Sequence, residues 1–173
     1  MSINKRMMNK INRKIGNLIF NEVVVELNSN GFEIDNWIEN QDCLIIEANK
    51  STDEHNFDLA VRYDHFSHLM TADVFCLSPI TETNLIFCLK LLNYCSVWED
   101  NAHYHLCPKK HVMVCKTYDS VDTCRVSIGE ILTLQVDCSI DNLEDIYMAI
   151  EQNNLRYLTE KIHPIQFHNY LFN

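Results

Sequence analysis

One stretch of the chain gathers side chains of the kind that bind metals. His103-Tyr104-His105-Leu106-Cys107 is followed by His111 and Cys115, and imidazole with thiolate is the donor set of zinc and other borderline cations. Whether these five can meet depends on register. Alternate side chains of an extended chain share a face, so His103, His105 and Cys107 fall together on one strand, and His111 and Cys115 on the next. A three-residue connection pairs 107 with 111 and points all five side chains the same way. A two-residue connection pairs 108 with 111 and sets the two groups on opposite faces. The sequence leaves both open. The plainer reading is an exposed strand pair with one polar face, and no cofactor is expected.

Other chemistry leaves fainter marks. Eight cysteines lie at 43, 76, 88, 95, 107, 115, 124 and 138 with no Cys-x-x-Cys pair among them, which excludes the usual zinc-ribbon and redox spacings. Most read as small buried hydrophobes in a reducing cytosol. Eight histidines beside eight cysteines make some Cys–His pairing a matter of chance, and none carries a local signature of nucleophilic catalysis. Glycine occurs only at 16, 31 and 129, so there is no phosphate loop, dinucleotide fingerprint or Gly-x-Ser-x-Gly elbow. Hydrolases with scattered catalytic residues escape this test. His65 and His68 flank a turn and His163 and His168 sit near the end; all four read as solvated. Trp37 and Trp98 lie near element ends as packing residues. The catalytic set is therefore empty, and the chain reads as a non-enzyme.

The elements that would position these groups come from the hydrophobic period. Residues 3–29 read as a long amphipathic helix, with Met8, Ile11, Ile15, Leu18, Ile19, Val23 and Leu27 in one apolar stripe and Gly31 at its stop. Three antiparallel strands follow, at Cys43–Ile46, Phe57–Asp64 and Met70–Leu77. Thr81 is placed as the cap of a second helix that is apolar on nearly every side, from Leu85 through Cys88, Leu89 and Leu92 to Cys95. Such a helix is buried twice over, by its own sheet and by a partner. After 103, the period returns to two. His103–Cys107 with His111–Thr117 makes one hairpin, and Cys124–Ile128 with Ile131–Cys138 makes a second that turns at Gly129-Glu130. Asn142 caps a final helix that Pro164 ends, leaving a tail at 163–173. The fold class is α+β: an antiparallel sheet of meander and hairpins packed by an N-terminal, a central and a C-terminal helix, all one domain over 1–173.

Charge narrows the partner. The chain of 173 residues holds 14 basic and 24 acidic side chains, a net −10, which excludes a general nucleic-acid binder. Lys5, Arg6, Lys10, Arg13 and Lys14 stand in the first 14 residues without an acid, leaving nine basic against 24 acidic residues beyond them, a net −15. The basic first turns oppose the helix dipole and are prone to fray. The segment lacks the apolar run and cleavage site of a secretory signal, and its Asn-rich composition departs from a mitochondrial presequence. No apolar run approaches a membrane span. The expected location is cytoplasmic.

The order of helix, three antiparallel strands, helix, further strands and helix is carried by Gly31–Leu77, by Thr81-Glu82-Thr83-Asn84-Leu85 through Leu91-Leu92-Asn93, and by Arg125–Cys138 leading into Asn142–Ile162. It resembles the type III secretion chaperone-like fold, which includes the Tir-chaperone (CesT) family and the YbjN-like proteins. The hairpin at 103–118 departs from that pattern as an insertion. The resemblance implies a homodimeric, non-enzymatic cytosolic protein that holds a segment of a client polypeptide, an effector in the secretion chaperones. The candidate client or dimer interface is Leu85, Cys88, Leu89, Leu92 and Cys95. Two rivals stand beside it. One is an acidic immunity-type inhibitor of a basic toxin, and the other is a metal-binding protein or enzyme using His103, His105, Cys107, His111 and Cys115.

Overall fold

The computed structural model describes residues 3–67, 69–98, 102–109, 111–119 and 128–152. The first element is α1 (Ile3–Ser29), and it stops as its last residues dictate. Gly31 takes φ 82°, and the Phe32 amide reaches back to the Leu27 carbonyl at 3.0 Å, a closure that a residue with a Cβ resists. Phe32 and Leu27 both enter the core behind that turn. The expected single stripe is divided. Phe20, Val23 and Leu27 are buried with Gly16, whereas Ile11, Ile15, Leu18 and Val25 face outward.

Among the described residues, six strands follow the helix in one antiparallel sheet: β1 (Glu33–Glu39), β2 (Cys43–Ser51), β3 (Asn56–Asp64), β4 (Leu69–Pro79), β5 (Ala102–Leu106) and β6 (His111–Asp119), in spatial order β1-β2-β3-β4-β6-β5. The meander therefore has four strands rather than three. β1, Glu-Ile-Asp-Asn-Trp-Ile-Glu, carries three acids, and every residue but Ile34 is exposed, so it lacks the clean apolar alternation of its neighbours. In β3 and β4 every second residue is buried, which puts one face against the helices and leaves the other open. β6 pairs with β4 along its length. The hairpin of β5 and β6 is thus an integral part of the sheet.

Between β4 and β5 a 3-10 turn (Glu82–Asn84) leads into α2 (Leu85–Trp98). Thr81 stands at the cap position without a side-chain cap bond; its hydroxyl meets that of Thr83 instead. The last described element is α3 (Ile128–Glu151), where the sequence pattern suggests a hairpin, a turn at Gly129-Glu130 and a cap at Asn142. The buried residues show why. Leu132, Val136, Ile140, Leu143, Ile146, Tyr147 and Ile150 recur at the helical period, while Leu134 and Cys138, which completed the apparent strand alternation, are exposed. Over seven residues the two periods coincide at enough positions to mislead. Gly129 serves close approach instead of a turn, since a Cβ there would lie 2.9 Å from the Glu22 carbonyl oxygen of α1. Residues 124–127 of the expected hairpin and the tail at 163–173 lie outside the described residues.

One apolar core joins the sheet to all three helices. α1 and α3 pack against each other across the helix face, and α2 lies over β5.

Candidate functional site

The hairpin takes one of the two registers open to it. The Cys107 amide donates to the His111 carbonyl at 2.9 Å, and His103 stands opposite Cys115. The connection is the three-residue one, and the five positions share a face of the sheet. Ala102, Tyr104, Val112 and Val114 point into the core, so His103, His105, Cys107 and His111 lie on the open side. His103 and His105 have ring centroids 6.3 Å apart. Among the described residues, no three His, Cys, Asp or Glu side chains come together to hold a metal ion; the Cys115 side chain lies outside those described.

The open face carries a groove of about 650 Å³. Asp35, Glu47 and Asp58 line one part of it, Phe75 and Leu77 form apolar floor, and Lys109 and His111 close the far end. Two of the carboxylates are held by neutral amides. Asp35 accepts from Asn49 at 2.9 and 3.0 Å, and Glu47 accepts from Asn36 at 3.2 Å. The groove thus starts at β1 and runs over the strands behind it.

The two edges of the sheet differ. Pairing of 107 with 111 makes the Tyr104 amide one that points away from β6, and it donates to Ser96 Oγ of α2 at 3.0 Å. That edge is covered. At the other edge, the Asn40 amide donates to the Cys43 carbonyl at 3.0 Å. Hydrogen-bonded pairs then fall at 38 with 45 and 36 with 47, and Trp37 and Glu39 turn their backbone N–H and C=O groups outward. Among the described residues nothing pairs with them. Trp37 remains 38% exposed and Ile38 37% exposed, one on each face of the strand. Trp37 rests edge-on against Phe20 of α1, ring centroids 5.9 Å apart. The reading of Trp37 as a packing residue therefore accounts for the buried part of its surface only, and β1 itself had no signal beyond Ile34, Trp37 and Ile38 among acids.

The residues proposed on α2 separate. Cys88, Leu92 and Cys95 are buried in the chain's own core, Leu85 is half-buried, and Leu89 is 51% exposed beside Ile86 at 70%. Burial raises the Cys88 thiol to about 11 and pushes the Cys76 thiol up as well, so neither supplies a thiolate nucleophile near neutral pH.

Two polar groupings had no sequence signature. At one end of the sheet, His55 Nδ1 lies 3.0 Å from Ser78 Oγ. The buried Tyr147 hydroxyl of α3 donates to the Ser78 carbonyl and accepts from the Val112 amide at 3.2 Å. Desolvation is the main cause that raises the Tyr147 hydroxyl well above its ordinary value. Glu144 nearby takes the Thr52 hydroxyl, and among the described residues no carboxylate orients the His55 ring. The cluster ties the β2–β3 turn and the end of β4 to α3 and lacks the third member of a nucleophilic triad. The second grouping corrects the reading of His65 as solvated. His65 is 3% exposed, with both ring nitrogens unpartnered, wedged beside Tyr63 under Gly16 of α1. Burial, with Arg13 as the next cause, lowers its pKa. His68 lies outside the described residues.

No family model matches this chain, and no curated protein or solved structure matches it. No described helix is long and apolar enough to cross a membrane.

Proposed function

We propose that the chain is a non-enzymatic protein-binding module, a homodimer that holds an extended segment of another polypeptide in the manner of a secretion chaperone. The outer edge of β1 carries this reading. An edge with free backbone groups accepts a further strand, and this one, unpaired among the described residues, is flanked by two large apolar side chains left partly in water, Trp37 and Ile38. The chaperone-like part of this reading leans only on the order of N-terminal helix, antiparallel meander and central helix; the stretch Arg125–Cys138, read as strands, does not contribute to it, since residues 128–138 lie in α3. Ile86 and Leu89 supply the outward apolar face of α2 for a second copy. The acidic body suits a basic toxin equally well, but an inhibitor of a folded protein has no need of a bare strand edge.

A native pull-down under reducing conditions, with the wild-type chain and Glu39→Pro as parallel baits, tests the reading. Proline at 39 removes one outward N–H and no ladder bond, a substitution that edge strands tolerate. The expected result is a partner protected from protease over one short segment and lost from the Glu39→Pro bait. A compact basic protein held equally by both baits would replace this reading with the immunity-type inhibitor. A chain recovered alone, carrying stoichiometric zinc, would replace it with the metal-binding rival.

A further inference from the structure

We infer that the segment accepted at β1 is basic, with the pattern basic–apolar–apolar–any–basic along the added strand. This rests on the reading of β1 as the partner's seat and assigns the chemistry of what sits there.

The pattern follows from the strand itself. Glu33–Glu39 contains Glu33, Asp35 and Glu39 and no basic residue. Natural edges are commonly blunted with lysine or proline; this one has neither and is blunted with acids and a bulge between Ile34 and Asn36. Acids discourage a second copy from pairing there. An antiparallel self-pair centred on Asn36 sets Glu33 against Glu39, and one centred on Trp37 sets Asp35 against Glu39, and like charges directly opposite each other are destabilising. A basic strand meets the same side chains with the favourable sign. Asp35 and Glu47 keep their charge, since they are met by the neutral amides of Asn49 and Asn36; beyond Glu39, the Arg13 guanidinium donates to the Gln41 carbonyl at 3.4 Å. The groove adds Asp58 behind them.

Position by position, Trp37 and Glu39 stand opposite the core residues Ile46 and Leu44, while Ile38 stands opposite Ile45 on the open side. A residue added opposite Glu39 is best basic. Those opposite Ile38 and Trp37 are best apolar, one for each face, because together they cover the surface that these two side chains still expose. The residue beside Asn36 is unconstrained, and the one beside Asp35 is again basic. Electrostatic complementarity of this kind mainly sets partner choice and association rate.

The test uses the full chain and three fluorescently labelled 12-residue peptides read by anisotropy. One carries Lys-Val-Phe-Thr-Lys in a Ser/Thr context, the second replaces both lysines by glutamate, and the third scrambles the first. The expected result is at least tenfold tighter binding of the first peptide than of either other. Glu39→Lys should invert the preference between lysine and glutamate peptides, and 0.5 M salt should shrink it. Glu39→Pro should abolish binding. If Glu39→Pro abolishes binding but Glu39→Lys leaves the preference unchanged, strand addition stands and the basic pattern is overturned. If the peptides bind and neither variant matters, both are overturned at this edge. Failure of the lysine peptide to bind at all also overturns the pattern.

Discussion

Leu89 and Leu92 lie three residues apart on α2 and are the same amino acid, yet an aspartate should behave differently at each. Leu92 is 3% exposed and belongs to the central core. Truncating a buried leucine costs roughly 2–5 kcal/mol, and leaving a buried polar group unsatisfied adds roughly 1–3 kcal/mol. Together they approach the whole stability of an ordinary domain, about 5–15 kcal/mol. Leu92→Asp should therefore be largely unfolded at 25 °C. Leu89, at 51% exposure, loses little burial, and the change there should stay near the few tenths of a kcal/mol usual for surface sites, about 0.5 kcal/mol, plus a comparable loss of helix propensity. Its effect should appear in assembly: a particle twice the chain's 20.3 kDa should become a folded monomer. Urea unfolding followed by far-UV circular dichroism, with light scattering on the same samples, reads both. Near-equal urea midpoints for the two variants would refute the assignment of inner and outer faces on α2. An unchanged mass for a folded Leu89→Asp would refute α2 as the dimer contact.

Two further outcomes follow from particular packing. Gly129→Ala should improve helix propensity by about 1 kcal/mol, but its Cβ would meet the Glu22 backbone at 2.9 Å, an overpacking that costs about 1–3 kcal/mol; the net loss should lower the melting temperature, and Gly129→Asn should be worse still. A gain in stability for Gly129→Asn would restore the turn that the sequence pattern suggested. Because the pKa of His65 is lowered in the folded chain, the unfolded chain binds the extra proton as pH falls below about 6.5, the ordinary histidine value. Stability from this residue is complete above that value and declines through the window below it, so the urea midpoint should fall from pH 7.5 to pH 5. His65→Phe should flatten that fall, and identical slopes for the two chains would refute the burial of a neutral ring.

Much of the architecture was legible because hydrophobic period reports burial directly. α1, β3 and β4 carry a clear period, β2 and α2 showed as short and long apolar runs, and the β5–β6 hairpin showed as two alternating segments about a Pro-Lys-Lys turn. β1 was illegible because an exposed edge strand buries nearly nothing, and its acids read as loop. α3 was misread because Leu132, Leu134, Val136 and Cys138 alternate over a window too short to separate 2.0 from 3.6. The longer run to Ile150, with Ile140, Leu143 and Ile146, contained the helical answer.

The same division runs through the candidate sites. By itself the sequence determined the α+β class, the absence of a phosphate loop, the acidic body and the two registers open to the His–Cys hairpin, because composition, spacing and period are local properties. Only the tertiary structure decided which register forms, that Cys88, Leu92 and Cys95 face inward while Ile86 and Leu89 face out, that His65 is buried, and that α2 meets the outer edge of β5 while nothing among the described residues pairs with that of β1. Each of those depends on what lies across from a residue in space. A partner many residues away, such as Tyr147 for Val112 or Glu22 for Gly129, leaves no mark on its neighbours in the chain.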